Sequence, residues 1–240
     1  MNNRPLLIAH RGDTISGIEN TVTACESALK KGATALEIDI RQSGSGDIVV
    51  LHDFSLKRLF SQPGYVGRTP LEKLKGFPYI QDTGEPEPIY INTLDEFLEQ
   101  FGGRVPINLD AKTIHFFDIK FADKIISAIK RHNLIDSTWI SCFNPFLLQI
   151  LKLREQKIRT GYLFQRLTWL HTAYDRITWT DAWHPHFKVV NRNLIEKAAK
   201  LGKEVYVWTV NDPEVMQKIM SFNVNGIISD DVQTIKKSLL

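Results

Sequence analysis

The sequence predicts a (β/α)8 barrel, or TIM barrel, an α/β fold that here carries a small loop-rich insertion over the barrel mouth. Short β-branched or apolar runs alternate with helical segments, a pattern typical of βαβ units and a parallel sheet. The alternation occurs about eight times in 240 residues. A compact barrel takes roughly 250 residues, whereas an open sheet of about six strands would leave part of the chain unused.

The elements follow one another in a regular order, and the residues at their ends support them. Helices are expected to open at Asn144-Pro145 and Asp212-Pro213 and to close near Gly32 and Gly202, and Asn20 stands before the first helix. Strands are predicted at 5–10, 35–40, 48–52 (an antiparallel or extra piece), 105–111, 138–143, 158–164, 187–190, 204–210 and 226–229. Helices are predicted at 20–31, 93–100, 117–132, 145–155, 193–201, 213–221 and 231–238.

One stretch, residues 53–92, breaks this rhythm. It holds half of the ten prolines and is too irregular for a βα unit, with only residues 71–74 locally helical. Because it directly follows a strand, it is expected to lie over the barrel mouth, where βα loops gather. The chain is therefore expected to be a single domain over residues 1–240, with residues 53–92 as an insertion that has little regular structure.

Composition excludes several classes of protein. The 30 basic and 27 acidic side chains give a net charge of +3, too small and too evenly spread to indicate nucleic-acid binding. Cys25 and Cys142 fit neither a disulfide framework nor a zinc site, and no apolar run approaches the ~18 residues of a membrane span. The start of the chain lacks the apolar segment of a secretory signal. A cytoplasmic protein is expected, while its oligomeric state is left open.

Two acidic residues, Glu37 and Asp39, lie two apart in the second predicted strand. On a strand this period places both carboxylates on one face and the apolar residues 36, 38 and 40 on the other. The apolar face must meet the helices, so the carboxylates point into the barrel near the end of the strand. Like charges held together there raise a pKa unless a cation neutralises them, which favours a divalent ion over a strand with its acids in water.

The same parity places Asn108, Asp110 and Lys112 on one face of a later strand. A third carboxylate would then arrive at the barrel mouth, although a simple Asp110–Lys112 ion pair explains this pattern equally well. Ligation by Glu37, Asp39 and Asp110 through oxygen suits Mg²⁺ or Ca²⁺ rather than zinc.

Two histidines follow strands beside these acids: His10, with Arg11, after the first strand, and His52 after another. Cleavage of a phosphate ester needs a base and an acid, and imidazole titrates near neutral pH. A guanidinium such as that of Arg11 can bind phosphate through two hydrogen bonds. Trp208 shares a strand face with Tyr206 and could form an apolar wall for a substrate, although core packing is the alternative reading.

These residues belong to motifs that occur together in the order and spacing of a known family. The motifs are His10-Arg11-Gly12, Glu19-Asn20-Thr21, Glu37-x-Asp39, Val50-Leu51-His52-Asp53, Val207-Trp208-Thr209-Val210-Asn211 and Asn225-Gly226-Ile227-Ile228-Ser229-Asp230. With them, nearly the whole chain resembles the glycerophosphodiester phosphodiesterase family.

The resemblance implies hydrolysis of glycerophosphodiesters, such as glycerophosphocholine or glycerophosphoethanolamine, to sn-glycerol 3-phosphate and an alcohol with a divalent cation. It implies that Glu37 and Asp39 bind the metal, that His10 and His52 are the acid–base pair, and that Arg11 and Lys112 contact the phosphate. Either histidine could be the base, and the nucleophile could be water or the glycerol 2-hydroxyl. The third metal ligand of the family is typically a glutamate, so Asp110 leaves the preferred metal open.

Three other functions compete with this one. A phospholipase-D-like lyase, or a lysophospholipase D that acts on lysolipids through a cyclic phosphate, uses a similar barrel, but such lyases are typically secreted with disulfide-bonded loops. A non-catalytic binding module would be expected to lack a histidine or a metal carboxylate, and a phosphosugar isomerase would need a phosphate loop near the last strands. The sequence does not specify the headgroup of the substrate.

Overall fold

The predicted barrel is confirmed by the computed structural model, which describes residues 4–81, 87–166 and 179–237. Eight parallel strands close into a ring because β1 pairs with both β2 and β9, and β3 pairs antiparallel to β2. The strands are β1 Leu6–His10, β2 Ala35–Gln42, β3 Ile48–Val50, β4 Ile107–Ala111, β5 Thr138–Cys142, β6 Arg159–Phe164, β7 Ala182–Pro185, β8 Glu204–Val207 and β9 Gly226–Ser229.

Helices lie between the strands, and all but α2 and α3, which belong to residues 53–92, pack around the barrel. They are α1 Val22–Lys31, α2 Lys57–Phe60, α3 Leu71–Lys75, α4 Leu94–Phe101, α5 Ile119–Arg131, α6 Pro145–Arg154, α7 Arg192–Lys200, α8 Pro213–Met220 and α9 Val232–Lys237. Asn144 and Asp212 cap the helices that follow them, and Gly32 ends α1 with a φ of 104°. Among the residues that the structure describes, no helix combines the length and apolar character needed to span a bilayer.

One predicted strand was wrong. Residues 187–190 form a 3-10 turn at Phe187–Val189, and the seventh barrel strand is Ala182–Pro185 instead. The strand was missed because Ala-Trp-His-Pro has no β-branched residue and ends in proline, whereas Phe-Lys-Val-Val has a strand-like composition. β7 pairs with β6 from Gly161↔Ala182 to Phe164↔Pro185, and all four of its residues are buried. This pairing and burial identify Ala182–Pro185 as the seventh strand.

The register of the strands determines which side chains meet inside the barrel. Asp39 lies directly across from Asp110, and His10 lies across from Glu37. Their outward neighbours Leu36, Ile38 and Leu109 are fully buried in the layer between strands and helices. An apolar layer deeper in the barrel packs below the charged residues and contains Ile8, Ala35, Trp139, Ala182, Tyr206 and Ile228. The charged side chains are thus held at the C-terminal ends of the strands, on a packed core.

Within residues 53–92, the described part is mostly irregular but contains more structure than residues 71–74 alone. It includes α2, a 3-10 turn at Val66–Arg68 and α3. Its apolar side chains form their own buried cluster, in which Leu59, Phe60 and Tyr79 pack with Val49 and Leu51 from β3 and the residue after it. This cluster fixes α2 at the edge of the barrel mouth.

Candidate active site

Three carboxylates meet at the mouth of the barrel. Glu37, Asp39 and Asp110 each place a carboxylate oxygen within 4.8 Å of the others, and all three residues are buried. The strand period brings Glu37 and Asp39 to one face of β2, and the β2–β4 register adds Asp110. The acidic cluster predicted from the sequence is therefore present as a compact group.

Two cations partly neutralise this carboxylate cluster. The Nε of Arg11 lies 2.9 Å from Asp39 Oδ2, and the Nζ of Lys112 lies 3.1 Å from Asp39 Oδ1 and 2.5 Å from Asp110 Oδ2. Burial alone would raise the pKa of Asp39, but Lys112 and Arg11 outweigh it and hold that pKa well below its usual range. The predicted Asp110–Lys112 ion pair is therefore present within the cluster, and Lys112 and Arg11 together favour the ionised form of Asp39.

The negative charge of Glu37 and Asp110 is not fully neutralised by the side chains around them. Glu37 has no lysine or arginine side chain within ion-pair distance among the described residues, and burial together with Asp39 raises its pKa to about 8. Burial also raises the pKa of Asp110, whose Oδ1 atom has no hydrogen-bond partner in the described structure. A buried, unpartnered carboxylate oxygen beside two further carboxylates fits a hard divalent cation. The group could therefore hold a metal ion.

His10 stands at the end of β1 with both ring nitrogens oriented. Its Nδ1 lies 2.6 Å from Asp230 Oδ1, and its Nε2 lies 3.9 Å from Glu37 Oε2. Asp230 is itself fixed by Asn211, whose amide nitrogen donates to Oδ2 at 2.6 Å. Burial would lower the pKa of His10, but the Glu37 and Asp230 carboxylates outweigh it and raise that pKa.

His52, like His10, has its Nδ1 next to an aspartate carboxylate. It follows β3, and its Nδ1 lies 2.9 Å from Oδ1 of the neighbouring Asp53. When an imidazole donates Nδ1–H to a carboxylate, its Nε2 is the acceptor, so the carboxylate sets both the tautomer and the ring orientation. His10 and His52 can therefore each use Nε2 to take or give a proton.

Arg58, which no sequence pattern indicated, links the residues that hold His52 and Arg11. Arg58, on α2, donates to Asp53 Oδ2 at 2.6 Å and Oδ1 at 2.8 Å, and to both carboxylate oxygens of Glu19 at 2.8 Å. Glu19 in turn accepts a hydrogen bond of 3.2 Å from the guanidinium of Arg11. One side chain thus orients His52 through Asp53 and Arg11 through Glu19.

Replacing Arg58 with lysine should lower kcat by roughly 10- to 100-fold, because a point charge cannot hold both carboxylates and small misplacements at a catalytic group are costly. Steady-state kinetics on glycerophosphocholine would measure this decrease in kcat. Arg104→Lys is the matched control, since Arg104 makes a similar two-point contact with Glu26 on the surface. Equal kcat values in the two variants would contradict an orienting role for Arg58.

Most of the predicted site residues border one cavity of about 260 Å³. His10, Arg11, Glu37, His52, Asp110, Lys112 and Trp208 line it. Asp39 lies beneath them and is fully buried. The Nε1 of Trp208 donates to the carbonyl oxygen of His184 at 2.6 Å, and its ring meets Phe143 edge-on at 5.6 Å. Trp208 therefore borders the cavity, and its role as an apolar wall for a substrate stays a prediction.

Sequence reasoning gave no role at the site to the residues that support it. Asn20 was interpreted as a helix cap, but Thr21 caps α1, and Asn20 adopts a φ of 61° that lets its side-chain nitrogen donate to Asp39 Oδ2 at 2.9 Å. Asp230 follows β9 at the same edge of the barrel as His10, so the rule that found His10 could have found it. Arg58 gave no such signal, since α2 has only four residues.

The fold and site together define a TIM-barrel phosphodiesterase. Three carboxylates suited to a hard cation stand beside basic side chains and two histidines, as hydrolysis of a phosphodiester requires. The family model for the glycerophosphoryl diester phosphodiesterase family matches residues 10–234. The chain belongs to this family, and it hydrolyses glycerophosphodiesters.

Individual relatives agree with this assignment. A glycerophosphodiester phosphodiesterase of Caldanaerobacter subterraneus subsp. tengcongensis is 30% identical over 236 residues, which cover 97% of this chain and 96% of the relative. A solved phosphodiesterase structure from Oleispira antarctica, in complex with its product sn-glycerol-3-phosphate, is 26% identical with a TM-score of 0.90, and the match covers 98% of this chain and 96% of that one. A human lysophospholipase D is more distant, at 23% identity over 93% of this chain and 82% of its own.

Proposed function

We propose that the carboxylate cluster and the two histidines form one catalytic centre that releases sn-glycerol 3-phosphate and an alcohol from glycerophosphodiesters such as glycerophosphocholine. One observation carries this proposal: His10 and His52 border the same cavity as Glu37 and Asp110, and each histidine has its Nδ1 held by an aspartate. The phosphodiester would lie between the two Nε2 atoms, above the carboxylates.

The phosphate would be bound by Arg11 and Lys112. Their charges offset the negative charge that develops on the phosphoryl oxygens as the attacking oxygen approaches. Both side chains are already oriented, Arg11 by Asp39 and Glu19, and Lys112 by Asp39 and Asp110. Preorganised donors of this kind need little rearrangement during the reaction, and Trp208 would form the apolar wall beside the substrate.

The two histidines would move the protons. The attacking group is either water or the glycerol 2-hydroxyl. One histidine would take its proton as its oxygen bonds to phosphorus. The phosphorus–oxygen bond to the alcohol then breaks, and the leaving oxygen takes a proton from the other histidine. If the glycerol hydroxyl attacks, a cyclic phosphate forms first, and water opens it by the reverse use of the same pair.

The metal ligands in this proposal are Glu37, Asp39 and Asp110, and the ion is Mg²⁺ or Ca²⁺. Oxygen-only ligation by these three carboxylates would favour such hard cations over zinc. When bound, such a cation stabilises negative charge on phosphoryl oxygens and lowers the pKa of a bound hydroxyl. Lys112, which contacts two of the three ligands, offsets the rest of their charge.

Removing divalent cations is expected to abolish turnover, and adding back Mg²⁺ or Ca²⁺ should restore it. A panel of glycerophosphodiesters assayed by phosphorus NMR, with excess chelator and with each metal, would measure both the metal requirement and the products. Release of sn-glycerol 3-phosphate supports the proposal. Undiminished turnover in excess chelator would contradict the metal requirement, and a cyclic phosphate as the final product would favour the lyase alternative.

Two further points concern the domain organisation of the chain and its place in the cell. We propose a single domain in which residues 53–92 are an insertion that carries Arg58 to the site, because the apolar cluster beneath α2 continues into β3. We also propose a cytoplasmic location, since Cys25 and Cys142 are buried free thiols, as expected in a reducing compartment. Limited proteolysis and cell fractionation would test these two points.

A further inference from the structure

Arg41, on β2, is a buried cation beside the proposed catalytic centre. The strand period that brings Glu37 and Asp39 to one face of β2 brings Arg41 to the same face, two residues further along. β2 continues this far because it pairs with β3, where Arg41 lies across from Val49. Arg41 is only 4% exposed, yet it borders a cavity of about 880 Å³ that His52 also lines. The fold thus holds a guanidinium beside one of the two histidines.

The charge of Arg41 has no ion pair among the residues that the structure describes. Asp39 and Asp53 attract it at a distance, but each is already paired with another cation. Asp39 binds Lys112 at 3.1 Å. Asp53 binds Arg58 at 2.6 Å. The Nε atom of Arg41 is also buried without a hydrogen-bond partner in the described structure. A buried charge without an ion pair destabilises a fold, and such local conflicts are expected mainly at functional sites.

Arg41 contacts the segment that carries His52 at two points. Its Nη2 donates to the main-chain carbonyl oxygen of His52 at 2.5 Å. Its guanidinium carbon lies 3.6 Å from the centre of the Phe54 ring, so the cation covers one face of that ring. The two contacts lie on either side of Asp53, whose carboxylate is next to Nδ1 of His52. Arg41 therefore fixes the chain on both sides of the residue that orients the imidazole.

Two arginines thus hold His52 in different ways. Arg58 acts from residues 53–92 and reaches the imidazole through the carboxylate of Asp53. Arg41 acts from the barrel and holds the main chain. Because the position of an imidazole depends on its backbone as well as on its Nδ1 partner, neither arginine can replace the other. A planar guanidinium suits the place of Arg41, since its edge donates while its face covers an aromatic ring, and an ammonium group cannot do both.

We propose that Arg41 is a positioning residue for His52, whose imidazole it holds where a proton can pass to or from the reacting oxygen atoms. This inference rests on the proposed acid–base pair of His10 and His52 and adds a residue that supports it. Arg41 acts through His52, while Arg11 and Lys112 contact the phosphate. Its loss should therefore lower kcat rather than raise KM. A misplacement of about 1 Å at a catalytic group can lower a rate by about 100-fold.

The test begins with steady-state kinetics on glycerophosphocholine for Arg41→Met and Arg41→Lys. Methionine fills much of the same space but cannot donate, so kcat should fall roughly 10- to 100-fold while KM stays within about twofold. Lysine can donate to the carbonyl oxygen but cannot also cover the Phe54 ring with a planar face, so its loss in kcat should be smaller, about 3- to 10-fold. Arg68→Met is the matched control, because Arg68 also lies over an aromatic ring, that of Tyr65 at 5.6 Å, but is exposed. It should keep the unmodified kcat.

A double-mutant cycle then separates positioning from a purely structural role. In a His52→Ala background no imidazole is left to position, so adding Arg41→Met should lower kcat by less than about threefold. A structural role would lower kcat by the same factor in both backgrounds. If circular dichroism shows that only Arg41→Met fails to fold, Arg41→Lys takes its place in the cycle, and its smaller loss should likewise disappear once His52 is replaced.

Failure of this inference and failure of the proposed function give different results. If His52→Ala is slow and the Arg41 variant lowers kcat equally in both backgrounds, the positioning role is wrong and the acid–base pair stands. An unchanged kcat in Arg41→Met, a rise in KM alone, or loss of the fold in both Arg41 variants would overturn the positioning role as well. Normal turnover by His52→Ala would instead contradict the proposed function itself.

Discussion

Replacing either His10 or His52 with alanine is expected to lower kcat for glycerophosphocholine by about 10²- to 10⁴-fold, the usual contribution of a positioned acid or base. The fold should survive, since neither histidine belongs to the apolar clusters that hold the barrel together. His132→Ala is the matched control: His132 also lies near a carboxylate, with Nε2 3.0 Å from Asp95 Oδ1, but it is far along the chain from both motifs and caps the end of α5. Steady-state kinetics with circular dichroism would check both points.

A second substrate separates the two roles. In a glycerophosphate ester of p-nitrophenol, the leaving phenolate needs no proton, so the variant that lost the acid should recover most of its rate. The variant that lost the base should remain slow, because the attacking hydroxyl must still be deprotonated. If both variants keep rates within tenfold of the unmodified enzyme on glycerophosphocholine, acid–base catalysis by this pair is wrong.

The part of the site that could be predicted from the sequence is the part governed by strand periodicity. Glu37, Asp39 and Asp110 were found because side chains alternate along a strand, and the ends of parallel strands meet at one edge of a barrel. The β2–β4 register then brings Asp39 and Asp110 opposite each other. Periodicity needs only local sequence, so these predictions did not depend on tertiary detail.

The part that could not be predicted depends on contacts between distant segments. Arg58 lies on a four-residue helix within an irregular stretch, and its four hydrogen bonds exist because the apolar cluster beneath α2 places it between Glu19 and Asp53. The seventh strand was misplaced for a related reason. Its pairing with β6 and β8, rather than its own composition, makes Ala182–Pro185 a strand.

Glu37→Gln is expected to separate stability from activity. Turnover should fall by roughly 10²- to 10³-fold, the equivalent of the several kcal/mol that a metal ion contributes to charge stabilisation in a transition state. The metal-free protein, in contrast, should become more stable, because the substitution removes one of three buried carboxylates that repel each other. The amide oxygen of glutamine can still accept the backbone N–H of Arg11, which lies 3.1 Å from Glu37 Oε2.

The pH dependence of stability identifies the cause of this gain. Burial and Asp39 raise the pKa of Glu37 to about 8 in the folded chain, so between its ordinary value and pH 8 the folded state binds more protons than the unfolded state. The stability of the metal-free protein must therefore decline as pH rises through that window. Glutamine does not titrate, so the variant should lose most of this slope, while the raised pKa of His10 leaves a smaller decline above neutral pH.

Thermal unfolding in chelator from pH 5 to pH 9 would measure these effects. At pH 7 the gain should be on the order of 2 kcal/mol, or about 4–8 °C in Tm for a chain of this size. Glu26→Gln, which removes a surface carboxylate paired with Arg104, should bring no such gain. Added Mg²⁺ should raise the Tm of the unmodified protein but not of Glu37→Gln, since a ligand stabilises only the state that binds it. A variant less stable than the unmodified protein at pH 8 in chelator would show that Glu37 contributes to the fold rather than to a strained metal site.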